Sequence, residues 1–427
     1  MFAGSDSAMN SAADLFEPLH PARRVTISTQ PVPLRLKPSR QFPFMARHPW
    51  VHAHALDEDG RDLDVGQVVD LTDHDGNWIA RGVINPNSRL RVRLYAFDQG
   101  IEINDALWRE RIDAAIGRRR LCQPVEPHGA ERLVFSESDL ISGLIVDRYA
   151  DCLSIQFTAG GLLPWRDVIL SHLRSATDCN RIMVRIDAKT AKYEGIDAED
   201  GWASIDATAE ANTAPVAYQQ NGLQLSVDLS SGQKTGGYLD QRLNHLAAAS
   251  YMKDRRVLDV CCYAGGFGLV AASLGAASVT GVDSSEAALA AAGAAAERNG
   301  LTNISFTKAD CFDELKRLGE SSEKFDAVIL DPPRFAGSRH QIDSAVRAYR
   351  RLNSLALDLL PAGGILVTCS CSGRVSRAEF TQMLSDVGRR RRRDLILLEN
   401  RGPAPDHPVA AACPETDYLK CVIAQVR

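Results

Sequence analysis

The residues from Val367 to Ser376 read VTCSCSGRVS, with Cys369 and Cys371 following the apolar run GGILV. A thiol at a strand end can be core filler, a metal ligand, half of a redox pair or a nucleophile. Two positions apart on an extended strand, the two sulfurs are expected on one side, at the strand's end. The chain has ten cysteines in 427 residues, no C-x-x-C, and no Cys or His pairs at zinc-finger spacing. That pattern sets a metal clip aside, and without a secretion signal it predicts reduced thiols rather than a disulfide frame. Filler and nucleophile remain.

Other reactive residues recur at strand ends. VLDVCC carries Asp259 and runs into the turn YAGGFG, with Tyr263, Gly265 and Gly268, before a helical stretch. Glycines there allow close backbone approach to a ligand. The next strand ends at Asp283, 24 residues on, where an acid can take both hydroxyls of a ribose. A third ends at Asp310, placed for an adenine amino group. A dinucleotide would call for G-x-G-x-x-G and a phosphate-binding helix N-terminus. An acid and an aromatic leading the turn favour S-adenosylmethionine, whose cationic amino-acid end Asp259 can meet. The fourth strand ends in DPPRF, Asp331 to Phe335. Successive prolines make a rigid loop, so Pro332, Pro333, Arg334 and Phe335 are candidates for holding a methyl-accepting base.

A thiol beside such a cofactor has a specific use. Carbon 5 of a pyrimidine is a poor nucleophile until a thiolate adds to carbon 6, after which it can take a sulfonium methyl. A base must then remove the carbon-5 proton; Asp331, Asp406 and His407 are the candidates.

The elements that must position these residues follow from pattern. Hydrophobic residues make up 45% and charged residues 24% of the chain, enough for two or three globular domains. No apolar run is long enough to span a bilayer, and the polar, acid-containing N-terminus lacks the features of a signal peptide, so a cytoplasmic protein with a loose tail (1–29) is expected. Short alternating strands (VPLRLKP, QVVDLTD, WIARGVI, LRVRLYAF) separated by turn signals predict a small β-barrel over 30–104. NDALWRERIDAAIGRRRL reads as a capped helix opening an α+β segment over 105–225, closed by GLQLSVDL. From there to 427, strand–helix alternation predicts a doubly wound parallel sheet, with ligands beyond its strands' carboxyl ends. The net charge of −5 argues mildly against binding nucleic acid by bulk electrostatics, and the arginine runs read singly as solvated faces.

Taken together, RHPWVH, INPNSRLRVRLYAF, RLVFSESDLISGLIVDRY, GQKTGGYLDQR, LDVCCYAGGFG, DPPRF, TCSCSG and DHPV with YLKC resemble the bacterial class I methyltransferases that form 5-methylcytosine in large-subunit (23S) ribosomal RNA. The resemblance implies a PUA-like RNA-binding domain, a central α+β domain, a Rossmann-like catalytic domain and S-adenosylmethionine as cofactor. It makes Cys371 the nucleophile and Cys369 an ordinary strand residue. It sets Lys234, Tyr238 and Gln241 beside the cofactor and offers Arg89, Arg91 and Arg93 as phosphate contacts. The rival readings are an RNA guanine-N methyltransferase of related architecture, which needs no thiol, an assembly factor that binds the cofactor without turnover, and a small-molecule methyltransferase.

Overall fold

The computed structural model describes residues 29–427 apart from 123–124, 198–199, 204–212, 231–234 and 336–340. Nearly all of the expected tail and Lys234 lie outside the described residues.

The first module is a five-stranded sheet in the order β1-β3-β4-β5-β2. Its strands are β1 (Val32–Arg35), β2 (Trp50–His52), β3 (Val68–Thr72), β4 (Trp78–Ile84) and β5 (Leu90–Ala96), with the short helix α1 (Phe42–Met45) before β2. Alternation along β1, β3, β4 and β5 turns Leu34, Leu71, Ala80, Ile84, Val92 and Leu94 inward on a shared core. The sequence pattern missed β2, whose three residues are too few to show a period.

Helix α2 (Asp105–Arg119) leads out of this module, its first turn capped by Asn104, which accepts from Leu107 N–H at 3.1 Å. A second sheet comes next, in the order β10-β9-β8-β7-β6. It comprises β6 (Ala130–Phe135), β7 (Leu144–Tyr149), β8 (Cys152–Phe157), β9 (Arg181–Arg185) and β10 (Gly201–Ala203). Helix α3 (Arg166–Thr177) makes the crossover between the parallel pair β8 and β9, and α4 (Ala188–Glu194) comes after β9. Val68, Val83 and Tyr95 of the first sheet share one core with Trp108 of α2 and Leu133 and Phe157 of the second sheet, so the two modules are packed as one. The chain then forms the hairpin of β11 (Val216–Gln220) and β12 (Leu223–Val227). The expected boundary at 225/226 runs through its second strand.

The third module is a seven-stranded sheet in the order β15-β14-β13-β16-β17-β19-β18. Alternation supplies α5 (Arg242–Ala249), β13 (Arg256–Val260), α6 (Gly266–Ser273), β14 (Ser278–Asp283), α7 (Glu286–Arg298), β15 (Ile304–Lys308) and α8 (Cys311–Glu320). It continues through β16 (Ala327–Leu330), α9 (Ile342–Leu359), β17 (Ile365–Ser370), α10 (Arg377–Arg391), β18 (Leu395–Arg401) and β19 (Lys420–Val426). The strands from β13 to β17 pair in parallel, as expected. The last two depart from the alternation: β19 inserts antiparallel between β17 and β18. No helix among the described residues is long and apolar enough to cross a membrane.

Buried ion pairs join the modules. Arg119 of α2 donates to both oxygens of Asp139 at 2.6 and 2.7 Å and to the Asp406 carbonyl at 2.9 Å. Asp406 bonds Arg242 and accepts from Arg132 N–H at 3.0 Å. Removing one member of a buried pair leaves the other charge desolvated. Asp139→Ala should therefore lower stability by about 3–5 kcal/mol, read as a fall in the urea midpoint, with exposed Asp98→Ala as the unaffected control.

Candidate active site

The carboxyl ends of the parallel strands open on a cavity of about 880 Å³. Its wall includes Tyr263, Asp283, Asp310, Gln241, the DPPRF residues Asp331 to Phe335, and Cys371. Residues brought there from separate loops thus meet around one space.

The turn after β13 is built to bring backbone close to that space. Gly265, with φ at +81°, begins α6 in the left-handed region. At Gly268 a Cβ would meet Asp259 Oδ2 at 3.0 Å, where the carboxylate instead accepts Gly268 N–H at 2.8 Å. Cys261 and Tyr263 hold positive φ without being glycine (60° and 49°), a strain that clusters at functional sites. Tyr263 N–H is received by Asp283 Oδ2 at 2.9 Å. The rings of Tyr263 and Tyr238 meet edge to face at 5.3 Å.

Five of the residues expected at this wall lie off it. Asp259, Gly265 and Gly268 are not on it. Asp259 is 1% exposed and lies beneath the turn, because Gly268 N–H draws its carboxylate there. Asp310 is at the wall, but its Oδ1 caps α8, accepting from Phe312 and Asp313 N–H at 2.8 and 3.2 Å. Gln241 is engaged at both ends: Nε2 donates to Asp331 Oδ2 at 3.2 Å, and Oε1 accepts from Asn244 Nδ2 at 2.6 Å. Arg401 Nε in turn donates to Asn244 Oδ1 at 2.8 Å, so a chain of hydrogen bonds orients the amide that faces Asp331. Asp406 and His407 are buried and bonded to each other at 2.9 Å. Burial would raise the Asp406 carboxyl, but His407 and Arg242 outweigh it and hold it low; both residues belong to the module junction rather than to the cavity.

The two cysteines part company. Strand β17 ends at Ser370, so Cys371 leaves the ladder, is partly exposed and lines the cavity. Cys369 stays within the strand, directly opposite Cys421 of β19, and is fully buried in the core. Burial, then its contact with the Cys421 thiol, pushes Cys369 well above the ordinary thiol range. The expected shared position at the ligand edge is therefore corrected: the strand ends one residue too early for it.

The expected phosphate contacts are also corrected. Only Arg89 is exposed. Arg91 is 4% exposed and donates to the carbonyls of Asn85 and Pro86. Arg93 lies over Trp50 and pairs with Glu137 at 3.2 Å. Arg91 is thus held within the first module and Arg93 faces the second, while Arg89 alone of the three points outward.

Sequence reasoning gave no role to Tyr418, Glu415 or Lys420, which reach the site from the far end of the chain. Glu415 and Tyr418 line the cavity, and Tyr418 Oη donates to Asp240 Oδ2 at 2.5 Å. YLKC was the available signal, though it gave no side-chain direction. One trio among the described residues has metal-ligand geometry: His48, Cys413 and Glu415. Trp50 N–H donates to His48 Nδ1 at 3.3 Å, which puts the ring proton on Nε2, 3.3 Å from Glu415 Oε2. A proton where a metal would bind makes this a hydrogen-bonded clamp between the first and third modules.

Comparison with known proteins gives the site its class. Residues 34–97 match a PUA-like domain, and residues 204–413 match S-adenosylmethionine-dependent methyltransferases. A protein from Streptococcus mutans described as a SAM-dependent methyltransferase superposes with a TM-score of 0.77 at 19% identity, covering 92% of this chain and 100% of its own. A methyltransferase structure complexed with S-adenosylhomocysteine gives 0.78 at 20% identity over the same shares. Fold and site together define an S-adenosylmethionine-dependent methyltransferase with a PUA-like module in front. Ribosomal RNA large subunit methyltransferase I of Shewanella denitrificans is 36% identical over 397 residues, 92% of this chain and 99% of its own. The enzyme of the same name from Tolumonas auensis is 37% identical over 392 residues, 91% and 98%. The chain belongs to the ribosomal RNA large subunit methyltransferase I family.

The residues present fit that cofactor. Asp259 Oδ1 is buried beneath the glycine turn without a hydrogen-bond partner among the described residues, which a nearby cationic ligand end would compensate. Burial pushes the Asp259 carboxyl up to about 7, with the Gly268 N–H opposing and the charges of Asp331 and Asp283 adding. A raised acid stabilises the free protein while protonated, and that contribution is lost as pH rises from about 4 through 7. A cationic ligand favours the ionised form, so the sign of its affinity is opposite. S-adenosylmethionine affinity should rise with pH between about 5.5 and 7, by up to tenfold per unit. Titration calorimetry should show this slope in the wild type and a flat profile in Asp259→Asn.

Proposed function

We propose that the protein methylates carbon 5 of a cytosine in 23S ribosomal RNA through a covalent adduct with Cys371. The observation that carries this reading is the position of Cys371: the one thiol of its pair outside the core lines the cavity shared by Asp283, Asp331 and the DPPRF loop. Substrate class follows from the family; atom and mechanism rest on that sulfur.

S-adenosylmethionine supplies the electrophilic methyl group and leaves as S-adenosylhomocysteine. The chain's own residues do the rest. The Cys371 thiolate adds to carbon 6, and the ring's electrons give carbon 5 the carbanion character that methyl transfer consumes. Asp331, oriented by Gln241, takes the carbon-5 proton; the carbon–hydrogen electron pair re-forms the 5,6 double bond and expels the thiolate. Pro332 and Pro333 fix the loop. Phe335, edge-on to Tyr349 at 4.8 Å, offers an apolar wall to the flipped base. Tyr263 and Asp283 are on the wall for the adenosine part. Arg89, exposed, and Arg334, exposed at the cavity, are the proposed phosphate contacts.

Cys371→Ala should abolish methyl transfer, a loss of at least about 10³-fold, while retaining S-adenosylmethionine binding. Cys369→Ala, in the core, should keep most activity per folded molecule. Mass spectrometry of nucleosides from RNA treated with enzyme and labelled cofactor reads atom and base together. A methylguanosine product, or full activity in Cys371→Ala, would move the assignment to nitrogen chemistry.

A further inference from the structure

Lys420 is the first residue of β19 and is 1% exposed. A buried ammonium ordinarily needs a carboxylate; among the described residues none pairs with it. Its Nζ donates instead to the carbonyl oxygens of Ser372 and Tyr418, at 2.7 and 2.8 Å. Two carbonyl dipoles take its hydrogens but bring no negative charge into direct contact with it. The strand register sets where that charge falls: Lys420 is paired directly across from Ser370 and holds the carbonyl of Ser372. The residue bracketed by those two contacts is Cys371.

We infer that Lys420 is the positioning residue that keeps Cys371 as a thiolate, its ammonium standing as the fixed counter-charge that the nucleophile needs before RNA arrives. This rests on the reading of Cys371 as nucleophile and adds the group that activates it. The thiolate, not the thiol, is the reactive form, and a thiol at its free value of about 8.5 would be only a few per cent ionised at neutral pH. The histidine on the cavity wall, His245, is packed against Phe267 at 4.4 Å, where burial draws it down to about 4 and makes it a poor base, and His407 is committed to Asp406.

The surrounding charges are consistent with this role. Those facing Lys420 are Cys371 from the β17 turn, Asp417 beside its own strand, Arg377 and Glu379 from α10, and Arg334 from the DPPRF loop. Asp417 is paired with Arg377 at 3.3 Å, and Glu379 is held by the Ser376 backbone N–H at 2.7 Å in the capping box of α10. That leaves Cys371 as the anion best placed to answer the lysine. Burial draws the Lys420 ammonium down to about 8, with the Cys371 charge opposing that fall. An anionic sulfur therefore keeps the lysine charged, and the charged lysine keeps the sulfur anionic.

The test is the pH dependence of Cys371 alkylation by iodoacetamide in the full-length protein, in a Cys369→Ala background, quantified on the Cys371 peptide by mass spectrometry. The wild-type profile should inflect well below about 8.5, and Lys420→Met should raise the inflection by a unit or more, an about tenfold loss of rate at pH 7. Lys420→Arg, which keeps the charge, should restore the low inflection. A wild-type inflection at or above about 8.5 overturns the inference without any variant having to fold; so does an unchanged profile in Lys420→Met, the result of a purely structural lysine. The underlying reading is tested separately with large-subunit ribosomal RNA transcribed with 5-fluorocytidine, which should give a denaturation-resistant adduct with wild type. Failure of that adduct sinks the nucleophile itself, whereas an adduct with an unshifted alkylation profile sinks only the role of Lys420.

Discussion

Parallel pairing is the constraint on which the site depends. When β13, β14, β16 and β17 run the same way, each must deliver its last residue to the same edge, and the loop leaving each strand must turn over that edge. Four loops distant in the chain become one wall without any loop having to be long. Hydrogen bonds fix the carboxylates at and beneath this edge: Gly268 N–H to Asp259, Tyr263 N–H to Asp283, and Gln241 to Asp331. Each uses a backbone or amide donor that carries no charge of its own.

The antiparallel strand β19 changes what that edge can do. A purely parallel continuation would have set a helix beside β17. Instead β19 opposes β17 residue for residue and brings a second segment of the chain to the place where β17 ends. Cys369 and Cys421 meet inside the sheet, and Lys420 reaches the turn beyond it. One ladder thus sorts two near-identical thiols into opposite surroundings, core and cavity wall, because one falls before the strand's last residue and the other after it.

Much of this was legible in the sequence, and the parts that were not have identifiable reasons. Alternation of apolar strands with capped helices gave every parallel strand of the third module, and acids at the strand ends gave the edge. Strand direction leaves no local trace, so the antiparallel insertion of KCVIAQV could not be read from its composition. Arg91 and Arg93 failed for a related reason: period-two alternation shows that two faces differ, not whether the polar one meets water, carbonyls of its own module, as Arg91 does, or another module's Glu137, as Arg93 does. Asp406 and His407 looked reactive by type, and only burial reveals them as part of the joint that Arg119, Arg132 and Arg242 close. Asp259 lies one layer beneath the expected wall, because the turn's own N–H draws its carboxylate there.

That joint also orders events during synthesis. Arg119 and Asp406 are separated by 287 positions, and His48 and Glu415 by 367. Chains fold from the N-terminus as they emerge, module by module, so the first two sheets can complete their shared core while the ribosome is still reading the third. The clasp that locks all three, and the part of the cavity wall carrying Glu415 and Tyr418, cannot exist until those late residues are out. A half-made chain can therefore be well folded yet lack the pocket needed to modify the very class of particle that is translating it.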